Sequence, residues 1–395
     1  MRVPETVESD LVIVGAGIAG LWTAKEAIDN GLSVTVVEAA GLLAAGATTR
    51  NEGWLHAGTY HSGAIEQHEI SRTVAEKIVD GHNAILDFAP EAVEHDTTYA
   101  LLGDEAVADR ALGRWSEFGL PFSLIDQWSF DNHDGVLLDG VAALAKVEDK
   151  SIDTRMLCAK LAAHVVARGG IMYTDAEFNP LDQGTAEITI TNDTLRLQSD
   201  NFLITAGVGS GDLLKKVTQD QYSMRYFKSH LMVFPRITRD NYFYVDGGQT
   251  GFMNHGNLSI AGLNRDSIAL QSPDYQPVPT KERKLYEALV HLVPSARQFA
   301  LESTQMVGVA CVKPDIRNSS SPEPDLDESV QKVSETYTMA FPGKMTQAPH
   351  MARMAIESMC SGQAKRESST NIEPELSTYS LQTVTPRPMD RNIVF

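Results

Sequence analysis

The stretch GAGIAG at residues 15–20 has the glycine spacing G-x-G-x-x-G. It follows DLVIV at residues 10–14, a short apolar run that is typical of a buried parallel strand. A helix is predicted over residues 18–30, with Gly31 as its stop signal, and SVTVV at residues 33–37 predicts a second buried strand. This order of strand, glycine turn, helix and strand predicts a Rossmann-type unit in an α/β fold.

Each glycine of this stretch has a physical reason to be there if the turn holds an adenine dinucleotide. Gly15 permits the tight turn, Gly17 lets the backbone approach a pyrophosphate, and Gly20 lets helix and strand pack closely. The first amides of the helix, at Ile18 and Ala19, and the positive end of the helix dipole attract phosphates. The turn is therefore predicted to bind the pyrophosphate of a dinucleotide.

Glu38 follows at the end of the second predicted strand, 18 residues after Gly20. Its carboxylate would accept hydrogen bonds from an adenosine ribose, and its charge disfavours a 2′-phosphate. The alternative is a glycine-rich turn that binds nothing. The strand, the turn, the helix and the acidic residue follow one another at the spacing expected for a dinucleotide site, which favours that interpretation.

Composition narrows the class of protein. A chain of 395 residues predicts two joined domains, and 43% hydrophobic with 22% charged residues is typical of a soluble globular protein. The net charge of −19 argues against binding to nucleic acid or to an anionic membrane. We expect no transmembrane segment and no secretory signal. Three widely spaced cysteines predict a reducing, cytoplasmic location and no metal site.

Hydrophobic periodicity predicts further elements along the chain. Helices are predicted over residues 65–88, 152–169, 281–293 and 347–360. Strands are predicted as a hairpin over residues 187–197, as buried runs at 201–205 and 337–341, and as a second, aromatic-rich sheet over 222–265. Residues 40–63 and 313–329 are predicted to be loops.

Two features favour FAD over NAD as the dinucleotide. A long loop rich in glycine, alanine and threonine, carrying Arg50 and Asn51, follows Glu38 where a plain NAD domain proceeds to a second helix. The predicted strand at residues 201–205 ends in Ala206-Gly207, a second turn near the cofactor. Both features resemble the two-part FAD site of flavoprotein oxidases and dehydrogenases.

Three stretches carry a family resemblance. ATTRNEGWLHAGTY at residues 47–60 is similar to the signature T-x-R-N-S-G-x-I-H-x-G-x-x-Y, FPGKMT at residues 341–346 to F-G-G-K-x-T, and DTRML at residues 153–157 to V-D-P-x-x-L. The chain thus resembles the D-amino-acid-oxidase-like FAD superfamily, in the branch of FAD-dependent glycerol-3-phosphate dehydrogenase and L-2-hydroxyglutarate dehydrogenase. Pro342 and Glu52 depart from the family pattern.

The resemblance implies a Rossmann-like FAD-binding domain, a parallel sheet with helices, interleaved with a mixed-sheet α+β substrate domain. We expect the FAD-binding domain to comprise residues 1–90, 146–212 and 306–365. The substrate domain would then comprise residues 91–145 and 213–305, followed by a C-terminal tail over 366–395. The matches cover about half the chain, all of it in the expected cofactor domain.

The resemblance also assigns residues to the cofactor and to catalysis. His56 is implied to face the flavin ring as a base for a substrate hydroxyl or amine, or else it is a satisfied loop histidine. Lys344 is implied to stabilise negative charge on the reduced ring; it could instead bind a substrate carboxylate or lie on the surface. The other implied cofactor contacts are Thr49, Arg50, Asn51, Gly53, Ala206, Gly207, Gly343, Met345 and Thr346.

Substrate contacts are less sharply defined by the sequence. Lys313 lies where amino-acid-oxidising relatives carry an arginine for the substrate carboxylate. Cys311 is similar in position to a cysteine that tethers flavin covalently in sarcosine oxidases, although most free cysteines are simply buried. The remaining candidates are Tyr60, His230, His255 and Arg265.

The resemblance implies oxidation of a C–OH or C–NH group on a small anionic substrate, with hydride transfer to flavin N5. The first hypothesis is a 2-hydroxy-acid or polyol-phosphate dehydrogenase that passes electrons to a quinone or another carrier. The second is an amine or amino-acid oxidase that uses O₂ and releases peroxide. A flavin-fold binding module without turnover is the alternative from another class.

Overall fold

The computed structural model describes residues 5–127, 130, 132, 134–181, 184–191, 193–218, 224–245, 250–263, 266–299, 305–315 and 328–360. The helices in this part of the chain are α1 (Ile18–Asp29), α2 (Thr59–Ala64), α3 (His68–Phe88), α4 (Glu105–Phe118), α5 (Thr154–Ala167), α6 (Ser210–Thr218), α7 (Pro279–Leu292) and α8 (Ala348–Cys360).

The strands of the described chain range from two residues in β4 to eleven in β15. In chain order they are β1 (Thr6–Glu8), β2 (Leu11–Val14), β3 (Val34–Val37), β4 (Trp54–Leu55), β5 (Val93–His95), β6 (Thr98–Leu102), β7 (Phe122–Ile125), β8 (Ala143–Val147), β9 (Lys150–Ile152), β10 (Ile171–Tyr173), β11 (Ala176–Pro180), β12 (Thr185–Ile190), β13 (Asp193–Gln198), β14 (Asn201–Ile204), β15 (Arg225–Pro235), β16 (Asn241–Tyr244), β17 (Thr250–His255), β18 (Leu258–Leu263), β19 (Ile268–Leu270), β20 (Val307–Asp315), β21 (Ser329–Lys332) and β22 (Tyr337–Phe341).

The first layer is a six-stranded sheet in the order β10-β3-β2-β14-β22-β21. Its first five strands run parallel, and β21 is antiparallel to β22. All four residues of β2 and all four of β3 are buried, as expected for strands covered on both faces. The predicted strand–turn–helix–strand unit at the start of the chain is thus confirmed.

Different elements cover the two faces of this sheet. Helices α1, α5 and α8 pack on one face through an aliphatic cluster that includes Leu21, Leu161 and Met351. A four-stranded sheet, β1-β13-β12-β11, packs on the other face, where Phe178 contacts Phe202. The predicted hairpin is β12–β13, and the predicted helices at residues 152–169 and 347–360 are α5 and α8.

A second, nine-stranded sheet has the order β19-β15-β18-β17-β16-β6-β8-β7, with β20 also paired to β15. The pairing is mixed, because β16 and β6 are parallel whereas the other pairs are antiparallel. Helix α7 packs on it through Leu285 and Leu289. The predicted aromatic-rich second sheet is confirmed.

Three local expectations differ from the structure. The predicted loop at residues 313–329 begins inside β20, which extends to Asp315, and residues 316–327 lie outside the described chain. The resemblance places residues 306–315 in the FAD-binding domain, but β20 pairs along its whole length with β15 in the nine-stranded sheet. The end of the predicted loop at residues 40–63 forms α2, whose N-cap residue Gly58 has φ +94°, and α2 ends before α3 begins at residue 68. The limits of the two domains otherwise stay a prediction, and residues 361–395 lie outside the described chain.

Within the described residues, no helix combines the length and the apolar character needed to cross a bilayer.

Candidate active site

One large cavity, of about 1080 Å³, connects the two predicted turns with the loop after Glu38. Ligand pockets in proteins usually measure about 300–1,000 Å³, so this volume suits a large ligand together with a small one. Two parts of its wall differ in how they are built. The glycine-turn region comprises residues 14–19, 37–48 and 205–209, and the histidine region comprises residues 54–60, 312–314 and 343–345.

The glycine-turn region is shaped by backbone that has no room for side chains. Gly15 has φ +110°, and a Cβ there would lie 2.6 Å from the carbonyl oxygen of Thr205. A Cβ on Gly20 would lie 1.9 Å from the carbonyl oxygen of Gly15. The end of β14 therefore packs directly against the turn after β2, and both turns line the cavity.

The start of α1 presents amides to this region. Gly17, the N-cap residue, offers no side-chain hydrogen bond to the first turn, which also carries no acidic residue. Ile18 N–H donates to Thr48 Oγ1 (3.1 Å), and Glu38 accepts from the N–H groups of Ala16 (2.7 Å) and Ala40 (2.9 Å). A helix N-terminus with a carboxylate at the next strand end fits an adenosine diphosphate, with phosphates at the amides and ribose at the carboxylate.

Asn51 fixes the loop that joins the two regions. Its side-chain amide donates to the carbonyls of Ala47 (2.9 Å) and Thr48 (2.8 Å). Its Oδ1 accepts from Gly53 N–H (2.7 Å). This residue lines the cavity and holds the backbone that leads into β4 and His56.

His56 lies buried on the wall of the histidine region. Its backbone N–H donates to Thr346 Oγ1 (3.2 Å), and the Trp54 indole packs on its ring at a centroid distance of 4.2 Å. Burial lowers the pKa of His56 well below 6.5, and the positive charges of Lys344, Lys313 and His82 act in the same direction. The imidazole is therefore neutral at neutral pH and available as a proton acceptor.

The cavity wall near His56 carries two lysines and one carboxylate. Burial and the nearby charge of Lys313 lower the pKa of Lys344 to about 8, against the opposing influence of Glu52. Lys313, Lys344 and Glu52 all line the cavity. Two ammonium groups in one partly enclosed space favour an anionic ligand.

Several predicted residues line the cavity, and their roles stay predictions. In the glycine-turn region these are Gly15, Gly17, Ile18, Ala19, Glu38, Ala206 and Gly207. In the rest of the wall they are Asn51, His56, Tyr60, Lys313, Gly343, Lys344 and Met345.

Thr49, Arg50 and Gly53 are not among the residues that line the cavity, and their cofactor contacts stay predictions. Thr49 donates to the carbonyl of Ala44 (2.8 Å), and the Arg50 guanidinium lies over the ring of Tyr275, 4.8 Å from its centroid. A Cβ on Gly53 would lie 2.4 Å from the His255 ring.

Thr346 is not among the lining residues either, and its hydroxyl accepts from the backbone N–H of His56. His230 accepts from Val278 N–H (3.0 Å). His255 contacts the carboxylate of Glu94 and the carbonyl of Glu52.

Cys311 and Arg265 complete the predicted set. Cys311 packs in an apolar cluster with Leu231 and Val309, and burial raises the pKa of its thiol. A thiol held protonated in this way is a poor nucleophile. Arg265 lies outside the described residues.

The structure also adds residues that no sequence motif marks. Asp149, fully buried, lies 3.8 Å from His56 Nδ1, and His82 Nδ1–H donates to the carbonyl of His56 (3.0 Å). His61 contacts the His56 ring edge-on at 4.5 Å, and Tyr275 lines the cavity. His61 could have been suspected because it lies five residues after His56 in one loop, whereas Asp149 and Tyr275 carry no local signal.

Comparisons with known proteins identify the family and the fold. A family model described as FAD dependent oxidoreductase (DAO) matches residues 10–357. One component of the anaerobic glycerol-3-phosphate dehydrogenase of Escherichia coli (strain K12) is 24% identical over 223 residues, which are 53% of this chain and 39% of that protein. The chain thus spans well under half the length of the curated relatives that it matches.

Two solved structures share the fold. L-proline dehydrogenase from P. horikoshii has a TM-score of 0.71 and 17% identity, over 92% of this chain and 96% of that chain. L-alpha-glycerophosphate oxidase from Mycoplasma pneumoniae, with FAD bound, has a TM-score of 0.68 and 17% identity, over 92% of this chain and 97% of that chain.

Proposed function

The chain belongs to the DAO family of FAD-dependent oxidoreductases, and we propose that it is a dehydrogenase for the C–OH group of a small anionic substrate. A 2-hydroxy acid or a polyol phosphate is the substrate class. The observation that carries the proposal is the position of the buried His56 on one cavity wall with Lys313 and Lys344. A neutral base and two cations suit a substrate with a hydroxyl and a negative group.

The residues of the glycine-turn region would hold the adenosine diphosphate of FAD. The amides of Gly17, Ile18 and Ala19 would face the phosphates, and Glu38 would accept from the ribose. A Cβ at Gly15 would collide with the backbone of Thr205, so this turn has no room for a side chain. The absence of a side chain would let the cofactor approach the backbone closely. The turn at residues 343–345 would approach the flavin ring.

Bound FAD supplies the acceptor for the hydride that leaves the substrate C–H bond. His56 would take the proton of the adjacent O–H group, so that the substrate becomes a carbonyl compound. Burial, together with the charges of Lys344 and Lys313, holds the pKa of His56 down. An anionic substrate between the lysines would offset their charge and raise the basicity of the imidazole when it is needed.

The electrons then pass to an external acceptor. A dehydrogenase passes them to a quinone or another carrier, whereas an oxidase passes them to O₂ and releases peroxide. Glycerol-3-phosphate appears in the name of the relative from Escherichia coli, and it is one substrate of the proposed class.

Oxidation of an amine is the second candidate, and Glu52 favours it. This carboxylate lines the cavity beside Lys344, so it could pair with a substrate ammonium group while a lysine pairs with a carboxylate. The structure named L-proline dehydrogenase shares the fold. An amino acid would then be the substrate in place of a hydroxy acid.

Anaerobic reduction of the purified, flavin-loaded protein tests these proposals. Glycerol 3-phosphate, L-2-hydroxyglutarate and lactate are added separately, and L-proline and glycine form the amine arm. Bleaching of the oxidised flavin by a hydroxylated substrate is expected, and bleaching by the amines alone would contradict the first proposal. Slow reoxidation of the reduced flavin in air is expected, and rapid reoxidation with peroxide release would identify an oxidase.

A further inference from the structure

A buried carboxylate lies beside His56, in a part of the chain that no motif marks. Asp149 lies between β8 and β9, and its side chain is fully buried. Its Oδ1 is 3.8 Å from His56 Nδ1, a buried atom without a hydrogen-bond partner among the described residues. Catalytic hydrogen bonds are often long before substrate binds, so this spacing suits a contact that tightens during turnover.

The hydrogen bonds to Asp149 come from both sides of His56 in the sequence. Trp54 Nε1–H donates to Oδ1 (2.9 Å), and the Thr59 hydroxyl donates to Oδ2 (2.5 Å). The backbone N–H of Ala57 donates to the carboxylate as well. Trp54 also packs on the imidazole. The side chain of Asp149 therefore holds the whole segment that carries His56.

We propose that Asp149 is a positioning residue for His56. It fixes residues 54–59 and keeps the imidazole proton on Nδ1, which leaves the lone pair of Nε2 for the substrate. When the substrate O–H proton moves to Nε2, the carboxylate balances the charge of the imidazolium and itself takes up no proton. This inference rests on the proposed function of His56.

The other charged groups around His56 are positive and oppose the formation of an imidazolium, so a negative charge from Asp149 is needed to balance it. Lys344 and Lys313 face it from the cavity wall and His82 faces it from α3, and all three oppose its protonation. Burial lowers the pKa of His82. The charges of Asp149 and Glu148 act in the opposite direction, and the charge of Lys150 lowers this pKa further. Burial raises the pKa of Asp149, while the bonds from Thr59, Ala57 and Trp54 favour its charged form.

The ¹⁵N NMR spectrum of the histidine rings in the flavin-loaded protein tests the proposal directly. The His56 signals are assigned by their loss in His56→Gln. We expect a neutral ring with its proton on Nδ1 at pH 7, and in Asp149→Asn a population shifted toward the Nε2–H tautomer. A wild-type ring protonated on Nε2 would overturn the proposal, whether or not the variant folds.

A kinetic arm separates charge balance from simple support of the loop. In Asp149→Asn the rate constant of flavin reduction should fall roughly 10- to 100-fold, a part of the usual contribution of a general base, with substrate affinity nearly unchanged. Asp104→Asn at the N-cap of α4 removes the same charge far from this network, and asparagine caps equally well, so it should react like wild type.

Three outcomes are distinguishable. A normal reduction rate in a folded Asp149→Asn protein contradicts the positioning role. A loss of substrate affinity with an unchanged rate constant indicates a structural role alone and also contradicts it. If no substrate bleaches the flavin, or if His56→Gln reacts at the full rate, the proposed function fails, while the tautomer measurement still decides the relation between Asp149 and His56.

Discussion

The two regions of the cavity are built in different ways. The glycine-turn region consists mainly of backbone from the turns after β2 and β14 and from the loop after β3, and it has no room for a side chain where Gly15 approaches Thr205. The histidine region consists of side chains from distant parts of the chain, with His56, Lys313 and Lys344 in one wall and Asp149 behind it. A binding surface can thus be local, whereas a catalytic surface is assembled by packing.

The difference predicts that substitutions in the two regions affect different measurements. A change in the glycine-turn region should weaken flavin binding without altering the chemistry of the flavin that remains. A change in the histidine region should leave the protein yellow and alter substrate binding or reduction. A single substitution that did both would break this separation.

Replacement of His56 should give the largest effect. In His56→Gln we expect flavin binding to persist while the anaerobic rate of flavin reduction falls about 10²- to 10⁴-fold, the usual contribution of a general base. Stopped-flow absorbance measures this rate. The matched control is His164→Gln on α5, which removes an imidazole paired with Asp29 of α1 and should react normally. Full activity of His56→Gln would refute the assigned role.

Gly15→Ala should give the next largest effect, and it should fall on flavin binding and on stability, not on the chemistry of the bound flavin. The φ of +110° and the approach of 2.6 Å to the Thr205 carbonyl oxygen each oppose a side chain. Together they should cost the folded protein about 3 kcal/mol. The backbone shift that relieves the contact would also move the turn away from the diphosphate, so we expect FAD binding to weaken roughly 100-fold. Flavin fluorescence titration measures the affinity. Gly113→Ala in α4, where a Cβ meets open space, is the control, and equal affinities in the two variants would contradict the prediction.

Lys313→Met should affect substrate affinity more than flavin binding. Loss of one charge-assisted contact should weaken binding of an anionic substrate about 10-fold, with the limiting rate of reduction nearly unchanged. The substrate dependence of the reduction rate gives both quantities. Lys332→Met, at the exposed end of β21, serves as the control. Unchanged substrate affinity in Lys313→Met would show that Lys313 does not contact the substrate.

The pH dependence of substrate affinity should show the smallest effect. Lys344 is charged below its pKa of about 8, so the affinity for a 2-hydroxy acid should be full below that pH and decline above it. The pKa of His56 is lowered well below 6.5, so we expect no loss of its basic form near 6.5 as the pH falls. In Lys344→Arg the decline above about 8 should vanish, because arginine does not titrate there. A decline that persisted would belong to another group.

The same contrast explains what the sequence could predict. The glycine turn, its strand and helix, and Glu38 could be identified because their spacing along the chain is fixed by the geometry of one βαβ unit. A loop signature identifies His56, and alternation identifies β12–β13.

The position of Asp149 next to His56 could not be predicted in this way. It depends on β4 pairing with β9, two strands separated by more than 90 residues. The placement of β20 in the second sheet depends likewise on its pairing with β15. Such contacts follow from tertiary packing, which no local pattern encodes. The contact of the Arg50 guanidinium with Tyr275 likewise carries no local signal in the sequence.

An experimental structure of the FAD complex would test most directly whether one cavity combines these two regions. The diphosphate should lie against the amides of Gly17, Ile18 and Ala19, and the flavin ring should lie beside His56 and the turn at residues 343–345. A diphosphate bound elsewhere, or a ring remote from His56, would contradict the division of the cavity into a backbone-built binding region and a side-chain-built catalytic region.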